Sequence, residues 1–121
     1  MVNEDVTHGN HTVNYILTTI FLNKNLWNIN DLQYIANTIK YKVWMPSKIN
    51  FTDNINGTES EYFHDTGWKQ SNGFMKLMNH DPSLYPIYLS YFNNNKDKIF
   101  NSSLSLQFQA NFIFYDSSYN K

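Results

Sequence analysis

Two His-Asp dipeptides, His64-Asp65 and His80-Asp81, are the residues best suited to chemistry. Acid–base hydrolysis needs an imidazole oriented by a carboxylate, with a nucleophile or water beside it. Neighbouring side chains diverge, so neither dipeptide can do this alone. A catalytic centre would need His64, Asp65, His80 and Asp81 to converge from two loops. Both dipeptides also border turn signals, where Asp is expected for backbone reasons. Glu59 and Glu61 would share one face of a strand, as a glycosidase pair requires, but carboxylates in such a polar loop are ordinarily solvated. His8 and His11 form a His-x-x-His pair with Gly9 between them, and the chain has no Cys to complete a metal site. The expectation is no catalytic residue, no metal and no cofactor. A small hydrolase using His64/Asp65 and His80/Asp81 is the alternative, and a small intracellular inhibitor of a host protein is a third reading.

Recognition is the other chemistry these residue types support. Trp27, Trp44 and Trp68 sit among Asn, Gln and Asp, beside nine Tyr. An aromatic face flanked by amides suits carbohydrate, and Trp and Tyr also anchor protein interfaces. Trp68 lies between the turn signals Asp65-Thr66-Gly67 and Ser71-Asn72-Gly73, which makes it the Trp most expected at the surface. Protein partners or self-association are therefore expected, with carbohydrate as a further ligand class.

Composition narrows the field. The net charge is -1 and all nine cations are Lys. Without Arg there is no arginine finger and no bidentate clamp for phosphate or guanine. With a pI near 6.4, nucleic acid is not an expected partner. Leu32 to Ile49 fits a helix-turn-helix pattern poorly, because Lys40 stands where the turn usually has Gly and Pro46 would interrupt the second helix. With only four Gly, a glycine-rich phosphate loop or a nucleophile elbow could hardly be built. Cysteine is absent, which excludes a disulfide framework and a thiolate nucleophile. The start, Met1-Val2-Asn3-Glu4-Asp5, has neither a basic nor an apolar leader region, so the chain is either not secreted by a cleaved signal or has lost it. Val13 to Leu22 is too short and too polar to span a bilayer, so membrane insertion is not expected. Charged residues are only 16% against 19 Asn. A neutral, amide-rich surface of this kind suits a virus or phage particle or a cell surface better than cytosol. Four Asn-x-Ser/Thr sequons begin at Asn10, Asn50, Asn56 and Asn101 and fall in expected loops or strand ends.

The elements that would position these residues read as follows. Residues 1–12 are polar and are expected to be a flexible arm before a single globular domain over 13–121. Residues 13–22 carry a helical stripe of Val13, Ile16, Leu17, Ile20 and Phe21, with Thr12 as cap, although the β-branched content also fits a strand. Residues 31–42 form the clearest helix, with Asn30 as cap, Gln33 completing it, and an apolar stripe of Leu32, Ile35, Ala36 and Ile39. Val43 to Met45 reads as a short strand.

The C-terminal third alternates. Tyr85, Ile87, Leu89 and Tyr91 do so first. Leu104, Leu106, Phe108, Ala110, Phe112 and Phe114 then alternate with mostly polar residues. The predicted fold class is therefore α+β: an antiparallel sheet built on a long β-hairpin, 85–92 with 103–115, packed by one or two helices, 31–42 alone or together with 13–22. Such a long strand, with no Lys or Pro to guard its edge, would pair with another chain through Gln109, Ile113 and Tyr115. A non-enzymatic structural or binding module is the expected function.

Overall fold

A computed structural model describes residues 5–22, 26–59, 73–101 and 105–119. The protein is mostly helical: 73% of the described residues are helical and 6% lie in strands or bridges. The elements are α1 (Val6–Phe21), α2 (Ile29–Thr38), a π-helical turn (Ile39–Val43), β1 (Trp44–Met45), β2 (Asn50–Phe51), two 3-10 segments (Phe74–Asn79 and Pro82–Leu84), α3 (Tyr85–Asn94), α4 (Lys96–Phe100) and α5 (Leu106–Tyr119).

The expected C-terminal hairpin does not exist. Residues 85–92 lie in α3 and residues 106–115 in α5. The sheet among the described residues is a two-stranded antiparallel pair, Trp44 opposite Phe51 and Met45 opposite Asn50. The alternation misled because apolar residues are so dense here that two periods fit at once. On α5 the buried set is Phe108, Phe112 and Tyr115, spaced four and three apart as a helix requires. Leu106 and Phe114, which a strand would turn inward, are each 64% exposed. On α3 the buried residues are Tyr88 and Tyr91. Pro86 lies in the first turn of α3, where its missing N–H costs nothing.

Residues 6–12, the larger part of the stretch read as an arm, form the first two turns of α1. The cap is Asp5 rather than Thr12. The Asp5 carboxylate accepts from the His8 backbone N–H at 3.0 Å, while the Thr12 hydroxyl donates to the His8 carbonyl. Val6, Gly9, Asn10, Val13, Ile16 and Thr19 make the buried face of α1. Gly9 admits a close approach here: a Cβ would stand 2.9 Å from Ile55 and 3.2 Å from the ring of Phe74.

The helix expected over 31–42 is α2 followed by the π-helical turn, and its cap is Asn28, not Asn30. The Asn28 side chain accepts from the N–H groups of Asn30 and Asp31, and Asp31 accepts in return from the Asn28 N–H at 2.7 Å. That reciprocal box starts the helix two residues earlier than a cap at Asn30 would. Leu32, Ala36, Ile39 and Val43 continue one buried stripe through the wider turn.

An aromatic chain joins the layers. Trp44 packs on Phe51 at 5.0 Å between ring centroids, Phe51 on Tyr88 and Tyr91, Tyr91 on Phe108, and Phe112 stacks on Phe92 at 4.2 Å. Such pairs add about 0.5–1.5 kcal/mol each beyond area burial. This chain is where much of the aromatic content goes, tying the strand pair through α3 to α5.

Candidate binding surface

The exit of α1 and the entry of α2 meet at one end of the molecule. Leu17 and Ile20 from α1, Ile29 and Leu32 from α2, Lys76, Asn79 and His80 from the 3-10 segment and its end, and Tyr115 from α5 line a groove of about 360 Å³. Each helix presents these residues because its core stripe is wider than its neighbours cover. Leu32 and Tyr115 are buried in the floor, whereas Ile29 is 65% exposed on the rim.

The chain just before Ile29 carries further exposed apolar residues. Phe21 is 84% exposed and Leu26 70%. Leu22 and Trp27 are exposed as well. Scattered exposed apolar residues are ordinary in soluble proteins, but a contiguous cluster marks an interaction surface. Here five large exposed apolar side chains fall within nine positions of the chain between α1 and α2, and Ile29 among them lines the groove.

One end of the groove is polar and, among the described residues, carries no carboxylate. The Lys76 ammonium donates to Asn14 at 2.8 Å, which leaves two further donors on that group. The Asn79 amide nitrogen lies 3.5 Å from the Tyr115 hydroxyl. His80 Nε2 is buried and makes no hydrogen bond. Burial pushes the Tyr115 hydroxyl above its ordinary pKa, which keeps it neutral.

Asp81 does not orient His80. Its carboxylate accepts from Lys40 at 2.7 Å, from Gln33 at 2.9 Å, and from the Ser83 hydroxyl and backbone N–H at 2.6 and 3.1 Å. Burial alone would raise its pKa, but those hydrogen bonds outweigh burial and hold it well below the usual carboxylate range. Asp81 is thus a structural anion that pins α2 and the π-helical turn to the start of the second 3-10 segment. His64, Asp65, Glu61 and Trp68 lie outside the described residues. Glu59 is held by Lys48 at 2.6 Å. His8 Nδ1 is 2.7 Å from the Asp5 carboxylate, and among the described residues no cluster of three His, Asp or Glu forms.

The other expected site residues divide. Trp27 is exposed just ahead of α2. Trp44 is half-buried against Phe51. Tyr115 lines the groove as a buried floor residue. Ile113 is exposed on α5, and the Gln109 side chain donates to the Ile99 carbonyl and to Ser105. The strand edge that was to join them is absent, because their segment is a helix. Sequence reasoning missed Leu26, Ile29 and Phe21 as surface residues. The dense apolar stretch from Ile16 to Leu32 holds more apolar residues than two helices can bury on one side each, and that excess is the signal. Of the sequon asparagines, Asn10 and Asn50 are buried, and Asn56 and Asn101 are exposed. No helix among the described residues is long and apolar enough to cross a membrane.

The chain matches no known protein family, no curated protein and no solved structure.

Proposed function

We propose that the protein is a non-enzymatic binding module whose working surface is the groove between α1 and α2 and its exposed rim. The observation that carries this reading is a groove floored by Leu32 and Tyr115 and rimmed by exposed Ile29, with Phe21, Leu22, Leu26 and Trp27 also exposed within the eight positions before Ile29 in the chain. The fitting partner is a protein segment that forms an amphipathic helix. Its apolar anchors would lie along Leu17, Ile20 and Ile29, a mode that reads anchors at i, i+3/i+4 and i+7. An acidic residue at one end would meet Lys76, since the described residues of the groove lining supply a cation and no carboxylate. The arginine-free, amide-rich composition supports a setting on a virus or phage particle or a cell surface.

Panning a display library of helical peptides against wild-type protein and against Ile29→Glu tests the reading. Wild type should enrich amphipathic sequences with an acidic end, and Ile29→Glu should abolish that enrichment without changing the circular dichroism. Equal enrichment on both proteins would refute the groove as the binding surface. Turnover of a general esterase, phosphatase, nuclease or glycosidase substrate that is lost in a folded His80→Ala variant would replace this reading with the hydrolase one.

A further inference from the structure

We infer that the outer face of α5 is a second interaction surface, built to pair with the same face of another copy of this chain. Phe108, Phe112 and Tyr115 fill the inner face of α5. On the opposite side Leu106 is 64%, Ile113 56% and Phe114 64% exposed, with Ala110 exposed between them. Steps of three and four residues place these side chains on one continuous stripe. A helix that is apolar on both faces is ordinarily covered on both, and no other described segment of this chain covers the outer one.

Three features identify the occupant as a second copy. First, the stripe carries no charge, and none occurs anywhere from Ile99 to Tyr115. A two-fold interface brings each patch against itself, so a charged patch would repel and a neutral one does not. Second, the pattern is self-complementary. Leu106 and Phe114 stand four positions either side of Ala110. With two α5 helices antiparallel and the axis at Ala110, Leu106 of each copy lies opposite Phe114 of the other. The small Ala110 pair lets the backbones approach. Third, the area is of the right order. At about 200 Å² for a fully exposed aromatic side chain, the three exposed residues offer no more than roughly 370 Å² per copy. That is most of the apolar part, about 450 Å², of a standard interface of about 800 Å² per partner.

The surface is distinct from the proposed groove, to which the described part of α5 contributes Tyr115, a residue of its inner side. Sedimentation velocity at high micromolar concentration should give twice the chain mass of 14.4 kDa for wild type. Ile113→Lys and Phe114→Lys should each return the monomer mass with unchanged circular dichroism and unchanged peptide selection by the groove. Because the native chain lacks Cys, Ala110→Cys also reports the axis directly and should form a covalent dimer on mild oxidation. A monomeric wild type, or Lys variants that remain dimeric, overturns the proposal. A dimer whose Ala110→Cys variant does not cross-link overturns the antiparallel pairing at Ala110.

Discussion

The side-chain oxygen of Asn10 in α1 accepts a hydrogen bond from the backbone N–H of Gly73 at 2.7 Å, and a second from Phe74 at 3.1 Å. One buried amide thereby caps the 3-10 segment from a distant helix. The fit is close enough that a Cβ on Gly73 would meet the Asn10 carbonyl oxygen and the Asn14 nitrogen. The same segment then delivers Lys76, Asn79 and His80 to the groove.

Asn10→Ala should therefore destabilise the protein by about 2–3 kcal/mol, since it leaves two buried N–H groups without an acceptor. Gly73→Ala should cost at least as much, because backbone must move. Urea unfolding of both variants checks this. A midpoint equal to wild type for Asn10→Ala would show that the contact does not hold the segment. For the same reason, Asn10 should carry no glycan in the folded protein, whatever the compartment.

The acid limb of stability should be set in part by Asp81. Burial alone would raise its carboxyl, yet its bonds from Lys40, Ser83 and Gln33 prevail and depress it on folding. A carboxyl depressed in the folded state adds stability above its unfolded pKa of about 3.8. That stability is lost as pH falls through the folded value. Wild type should thus weaken progressively below about pH 5, and Asp81→Asn should be less stable at neutral pH with a flatter acid limb. Lys40→Met should cost roughly 2 kcal/mol, less than the loss of one partner from a fully buried pair, because Lys40 keeps some exposure. Denaturant titrations from pH 7 to pH 2 decide it: an Asp81→Asn curve parallel to wild type would rule out this role.

The orientation of α5 gives a paired test. Phe112 is buried and stacks on Phe92 at 4.2 Å, while Phe114 is exposed. Phe112→Ala should cost about 3–5 kcal/mol, and Phe114→Ser should change the stability of a monomeric unit by no more than about 0.5 kcal/mol. A strand would turn both residues to the same face, so comparable losses at low protein concentration would contradict the helix.

Parts of this architecture were legible in the sequence. The stripe Leu32, Ile35, Ala36 and Ile39 sits among good helix formers and polar partners, so only one period fits. Helix was also the favoured reading of 13–22, although its start at Val6 was hidden by Gly9 and by polar residues that turn out to cap or to dock. The C-terminal third was not legible by alternation, because Phe, Tyr and Leu occupy positions consistent with both periods. Two local signals favoured the helix. Pro86 would remove a ladder donor from an interior strand, and 103–115 contains a single β-branched residue, Ile113, beside helix-tolerant Leu, Gln and Ala. The groove was less legible still. Aromatic character marks Trp27 for binding and a strand edge marks Tyr115 for an interface, but the groove that Tyr115 lines depends on α1, α2 and α5 converging, a relation that no local spacing encodes. The His80-Asp81 dipeptide showed the right residue types, while its carboxylate was committed to Lys40, a partner 41 positions away.

Binding at the groove is tested most directly by resonance mapping. Isotope-labelled wild-type protein is titrated with an amphipathic helical peptide that carries an acidic end. The amide and methyl signals of Leu17, Ile20, Ile29, Leu32 and Tyr115 should shift together and saturate, with Lys76 responding only when the peptide's acidic end is intact. Shifts centred on the outer face of α5, or none in the groove at saturating peptide, would contradict it.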